Sequence, residues 1–180
     1  RDAAFEKAGV EAELGHLEAA IAGFRRLLAA GPQGPAQANL AQALRQAGRF
    51  AEAAEAYQDA LAAEPEAAEL WAGQGQVLAA LGRHGEAAAS FRRALEIRPD
   101  YPEAGLNLAI CLRDGGQFAA ALAACDDVLA GQPGDIAALA TKAGVLAREG
   151  DDGAAAIGLH IPSQAGDLEG FTINDGGDCA

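Results

Sequence analysis

The sequence predicts an all-α solenoid of about four and a half helical hairpins, and three observations carry that expectation. Gly48, Gly82, Gly116 and Gly150 recur every 34 residues, and Pro65, Pro99 and Pro133 keep the same interval. Other places of the same frame repeat too: Ala53, Ala87, Ala121 and Ala155; Tyr57, Phe91 and Cys125; Ala60, Ala94 and Val128; Leu44, Leu78, Leu112 and Leu146. Inside each unit the apolar residues follow helical spacing, and a fixed period of this length marks supersecondary units that stack on one another.

The first unit, about residues 1–33, fits the frame shifted by one residue through Gly15, Ala20, Phe24, Leu27 and Pro32. A surface turn absorbs such a change. In the second unit, 34–67, Leu40, Ala41 and Leu44 form one apolar stripe, and Phe50, Ala53, Ala54, Tyr57, Ala60 and Leu61 form another. Gly48 between them suits the left-handed residue that closes a helix, and Pro65 stops the second helix. The third and fourth units, 68–101 and 102–135, repeat this plan. One-carbon alanine side chains let paired helices approach closely while Leu, Phe and Tyr fill the flanking space.

The frame weakens in the fifth, incomplete unit, 136–155. Asp152 takes the place of Phe50 and Phe118, Pro162 falls at an alanine place, and Gly153 and Gly158 intervene. Each glycine costs a helix roughly 1 kcal/mol relative to alanine. A short, frayed helix is expected over 151–160, and 156–180 is expected to be an irregular tail or linker.

A formal net charge of -13 argues against nucleic-acid phosphates and anionic membranes as partners, since both attract lysine and arginine. No apolar run approaches the roughly 20 residues of a membrane span. Cys111, Cys125 and Cys179 are odd in number and lack metal-type spacing, so reduced, packed thiols and a cytoplasmic location are expected. No cofactor is expected. His16 and His84 sit beside turn glycines, and no phosphate-binding glycine loop follows a strand, so no catalytic or metal site is assigned. His160 with Asp167, Asp175, Asp178 and Cys179 matches no metal-ligand spacing.

In the third unit Trp71, Gly75, Leu78, Gly82, Ala87, Phe91, Ala94 and Pro99 together resemble the tetratricopeptide repeat, a 34-residue helix-turn-helix unit. The resemblance spans about residues 3–155. It departs at Glu11, Gln74 and Lys142, which replace leucine, and at Cys125, which replaces the aromatic residue. It implies a right-handed superhelix whose first helices line a concave groove and whose second helices form the outer wall.

Once the packing stripes are assigned, the leftover face of the first helices carries Asn39, Gln42 and Arg45 in the second unit and Gln76 in the third. Leu106, Asn107, Ile110 and Arg113 follow in the fourth. Asn39 and Asn107 share one repeat place where asparagine in similar arrays grips a peptide backbone, an amide being both donor and acceptor. Arg45, Arg83, Arg113 and Arg148 are expected to gather at the C-terminal ends of the first helices, as carboxylate receptors or as dipole partners. Leu106 and Ile110, beside Ala72, Ala79, Ala80 and Ala140, either form a shallow pocket or pack on the next helix. The two-lysine clamp of chaperone-binding relatives is absent, because Ala38, Ala72 and Ala140 hold one of its places.

A non-catalytic scaffold that binds an extended peptide or short helix of a protein partner is the leading expectation. The alternative is a recognition module of a larger enzyme, such as a glycosyltransferase, hydroxylase or methyltransferase. Self-association through a terminal repeat comes third, since no polar capping helix follows the fifth unit.

Overall fold

Residues 2–31 and 34–156 are described in the computed structural model. Among them are nine α-helices and no strand: α1 (Asp2–Glu13), α2 (Leu17–Ala29), α3 (Gly34–Gln46), α4 (Phe50–Ala63), α5 (Ala68–Ala80), α6 (His84–Ile97), α7 (Pro102–Asp114), α8 (Phe118–Gly131) and α9 (Ile136–Ala156). Each helix touches its neighbours in sequence, and the odd-numbered helices also touch one another in order. The backbones of the even-numbered helices do not approach one another. The odd helices therefore form the crowded inner row of an all-α solenoid and the even helices its outer row.

The turn within each hairpin is set by one glycine. Gly15, Gly48, Gly82 and Gly116 have φ of 78°, 72°, 73° and 73°, a region where a Cβ would be strained. At each, the next residue's N–H reaches back five positions, as from Arg49 to the Leu44 carbonyl, from Arg83 to Leu78 and from Gln117 to Leu112. This double closure satisfies the carbonyls left over at the helix end. Gly150 does not follow its counterparts: α9 runs through it to Ala156 without a turn. One residue of high backbone entropy weakens a helix without ending it. The expectation for 157–180, including the His160 and Pro162 readings, lies outside the described residues.

Where paired helices meet, Ala20, Ala53, Ala87 and Ala121 have no solvent exposure. Phe24, Tyr57, Phe91 and Cys125 fill the next place and are equally buried. The core forms two clusters, one over α1 to α5 and one over α5 to α9, and Trp71 packs against both. Burial drives the Cys111 thiol up to about 11, with Asp114 adding to the effect. Cys111 and Cys125 are free and buried, as packed thiols should be. The fifth unit differs because no further described helix covers it: Ile136, Leu139 and Leu146 on α9 remain exposed.

Departures from the apolar pattern are locally compensated. Gln74, at a leucine place, is buried and accepts a 3.4 Å hydrogen bond from Ser90 Oγ. Lys142, at the same place in the fifth unit, pairs with Asp126 of α8. Glu11 accepts from His16 Nδ1 at 2.8 Å. On the outer wall, long side chains bridge what the helices do not. Glu52 of α4 receives Arg25 of α2 and a two-pronged contact from Arg49, which also reaches Glu18 of α2.

Two outcomes follow from this packing. Ala87→Leu should lower the melting temperature by an amount equivalent to about 1–3 kcal/mol, while Ala89→Leu, at an exposed position of the same helix, should change it little; thermal denaturation of both variants checks this. The hydrogen bonds from Arg49 and Arg25 hold the Glu52 carboxyl down at about 2. A carboxyl depressed in the fold stabilises above its unfolded pKa and ceases to do so as pH falls through the folded value. Glu52→Gln should therefore be less stable than the parent at pH 7, with the gap closing between about pH 4 and pH 2 and shrinking in high salt. Denaturation measured across that range is the check.

Candidate functional site

The inner row presents five residue places per unit, most of them outside the core, although Ala72 belongs to a core cluster and Ala38 and Ala79 pack against one. Four of these can be followed from unit to unit: Ala38, Ala72, Leu106 and Ala140; Asn39, Gly73, Asn107 and Thr141; Gln42, Gln76, Ile110 and Gly144; Arg45, Ala79, Arg113 and Ala147. Asn39, Gln42 and Gln76 are exposed, whereas Arg45, Leu106, Asn107, Ile110 and Arg113 are half-buried. Ala72 and Gly73 of the third unit are buried, and Ala140 and Ala147 of the fifth are exposed, so the polar and apolar groups of this row are offered chiefly by the second and fourth units. Asn39 and Gln42 come together with Gln46 in a depression of about 240 Å³ whose far wall is α1, at Gly9, Ala12 and Glu13.

The asparagine place is interrupted at Gly73, and a cross-repeat contact accounts for it. A Cβ on Gly73 would stand 2.5 Å from the Tyr57 hydroxyl oxygen and 2.6 to 2.7 Å from two of its ring carbons. Tyr57 belongs to α4, so the second unit's outer helix sends its hydroxyl to the place where the third unit would carry an amide. Burial raises the Tyr57 pKa, with Arg45 opposing through its charge and a hydrogen bond. The phenol thus stays neutral and retains a proton to donate. Arg45 lies beside this phenol, and its Nε is buried without a hydrogen-bond partner among the described residues.

The four arginines do not form one row. Arg45 and Arg113 lie in the last turns of α3 and α7 as expected. Arg83 lies beyond the end of α5, as the residue that starts α6, and grips Glu86 through Nε at 2.7 Å and an Nη at 2.6 Å. Its repeat counterpart is Arg49, which grips Glu52 in the same way. Arg148 is exposed within α9, which continues past it to Ala156. Arg83 falls beyond the common end of α3, α5 and α7 at Gln46, Ala80 and Asp114, whereas Arg148 is left mid-helix because α9 continues past it. Arg113 meets Asp114 at 3.0 Å and extends toward Gly144 of α9. Leu106 and Ile110 join neither core cluster, and of the alanines beside them Ala72 is buried while Ala80 and Ala140 are exposed.

Comparison with known proteins agrees with this geometry. Two tetratricopeptide repeat models match, over residues 39–102 and 78–145. The chain belongs to the tetratricopeptide repeat family. Among solved structures, that of MamA superposes with a TM-score of 0.79 at 18% identity, covering 86% of each chain. YrrB, described as a repeat protein of this family with an unusual peptide-binding site, gives 0.74 at 23% identity, covering 82% of this chain and 77% of its own. The second repeat domain of human RPAP3, solved with the HSP70 peptide SGPTIEEVD, gives 0.59 at 20% identity, covering 63% of this chain and 98% of its own. No curated protein matches the sequence closely enough to count as a relative.

The Gly73 contact yields a signed comparison. Gly73→Ala should lose about 1–3 kcal/mol to overpacking against a buried ring, against a helix-propensity gain of about 1 kcal/mol. Gly9→Ala in α1, with nothing within 4 Å of the added carbon, should show only the gain. Chemical denaturation should move the two variants in opposite directions.

Proposed function

We propose that this chain is a non-catalytic scaffold that holds an extended segment of a partner polypeptide along the inner helices. The observation that carries this reading is the recurrence of one polar set two units apart. Asn39 and Arg45 on α3 reappear as Asn107 and Arg113 on α7, so a single strand lying across the groove meets an amide and a guanidinium twice in the same order. Amides pair with the strand's peptide groups, and guanidinium groups take its carboxylates or carbonyls. Between them Gln76 supplies a further amide, and Leu106 and Ile110 supply an apolar contact. A groove built on packed helices is preorganised, so little conformational freedom is lost on the protein's side when it binds.

The related structures support the class of ligand: one is described as having a peptide-binding site and another was solved with a peptide. The ligand chemistry here differs from a two-lysine carboxylate clamp, since Ala38, Ala72 and Ala140 carry no charge. No helix among the described residues is long and apolar enough to cross a membrane.

Affinity capture with the full chain, followed by titration of the recovered segment, tests the proposal. Asn39→Ala combined with Asn107→Ala should weaken binding by about 1–3 kcal/mol with little change in melting temperature, since neither residue belongs to the core. Arg45→Ala combined with Arg113→Ala should reduce affinity for acidic segments and flatten the salt dependence. Intact binding in these variants, with loss on changing Arg92 and Arg93 of the outer wall, would overturn the concave-groove reading.

A further inference from the structure

The third and fourth units differ at one place with a structural consequence. Trp71 stands in the third unit where Gly105 stands in the fourth, and Ala94 stands where Val128 stands. In the third unit the indole is seated between the two core clusters, and its Nε1 donates to the Pro65 carbonyl at 2.8 Å. In the fourth, the space that indole would take is only partly reoccupied. A Cβ on Gly105 would stand 2.6 Å from Val128 Cγ2, so Val128 has moved into the root of the site. Beyond it a cleft of about 320 Å³ remains, walled by Leu95, Tyr101, Leu108 and Val128 and bounded by Pro99, the counterpart of Pro65.

The charges around the two places also differ. Arg93 and Arg98 flank the third unit's site, pairing with Glu66 and Glu69. Their fourth-unit counterparts are Asp127 and Gln132, both of which line the cleft. Asp100 lines it as well, and both aspartates are exposed. Arg98, beside the cleft, is stacked on the Tyr101 ring at 3.7 Å and paired with Glu69. The mouth of the cleft is therefore acidic.

We propose that this cleft is a second binding site, separate from the concave groove, that takes an aromatic side chain carried by a basic segment of a partner polypeptide. The third unit shows the fit: an indole at the counterpart place of the preceding unit, with its N–H on the carbonyl of the interhelical proline. The Pro99 carbonyl offers the equivalent acceptor, and Asp100 and Asp127 select for lysine or arginine beside the aromatic residue. The chain's own Phe171 is a poorer occupant, because it lies among Asp167, Glu169, Asp175 and Asp178 and like charges oppose its approach.

The tripeptide Lys-Trp-Lys, titrated into the full chain and followed by NMR, is the test. Shifts should centre on Gly105, Val128 and Tyr101, and Lys-Ala-Lys should bind at least about tenfold more weakly, having lost the buried ring. Asp100→Asn with Asp127→Asn, both at exposed positions, should weaken Lys-Trp-Lys roughly fivefold. Gly105→Trp with Val128→Ala, which copies the third unit's pair, should raise the melting temperature and abolish binding. Asn39→Ala with Asn107→Ala should leave this titration unchanged, which separates it from the groove. Equal binding of the two tripeptides, insensitivity to the aspartate changes, or shifts centred on Asn39 and Asn107 would overturn the proposal. So would a Phe171→Ala chain whose cleft signals move before any peptide is added, since the tail would then be the occupant.

Discussion

Helix pairs in this protein meet at alanine, and the rest of the structure depends on how close that lets them come. Ala20, Ala53, Ala87 and Ala121 are wholly buried at the contact between the two helices of each hairpin, where any larger side chain would push the backbones apart. The next place along is then free for one bulky group: Phe24 packs on Phe5 and Phe91 on Gly75 within their own hairpins, while Tyr57 reaches Gly73 of the following unit. The close alanine contact and the bulky group beside it fix the geometry of each hairpin, and its repetition sets the step of the solenoid. That step brings the odd helices side by side, and only because they are side by side do Asn39, Gln42 and Arg45 share a surface with Asn107, Ile110 and Arg113.

Variation between units has physical consequences because the step is constant. Tyr57 is the one bulky group of this set with a hydroxyl, and the third unit answers it with Gly73. Gly105 and Val128 are a second exchange, in which loss of a ring is partly balanced by gain of a larger aliphatic group. Gln74 and Ser90 are a third, a polar pair buried together, at 7% and 5% exposure, so that neither is left without a partner. The proposed cleft lies where one unit departs from its neighbours, whereas the proposed groove rests on a polar set that recurs two units apart.

The period, the left-handed glycines at Gly48, Gly82 and Gly116 and the alanine contacts were legible in the sequence because each is a local requirement repeated at fixed spacing. Asn39, Arg45, Asn107 and Arg113 were placed correctly on the inner helices for the same reason. Arg83 and Arg148 were not: Arg83 shares the frame place of Arg49, directly before an outer helix, and Arg148 lies mid-helix because α9 runs on past it. Gly150 resembled its counterparts in spacing yet lies within α9, since a glycine becomes a turn only when a second helix packs back over the first. The Tyr57 to Gly73 and Val128 to Gly105 contacts join residues 16 and 23 positions apart in the chain through side-chain volume, which a one-dimensional frame does not express. Comparing Trp71 with Gly105 along the frame is the signal that would have revealed the cleft.

The claim that the inner helices are the working surface is tested most directly by site-specific photo-crosslinking in cells, with a benzophenone amino acid at Gln76 on α5 or at Arg92 on α6. Both side chains are exposed, so both probes are free to react. The account predicts a discrete crosslinked partner from position 76 and none from position 92. A partner captured from position 92 alone would contradict it and move the function to the outer wall.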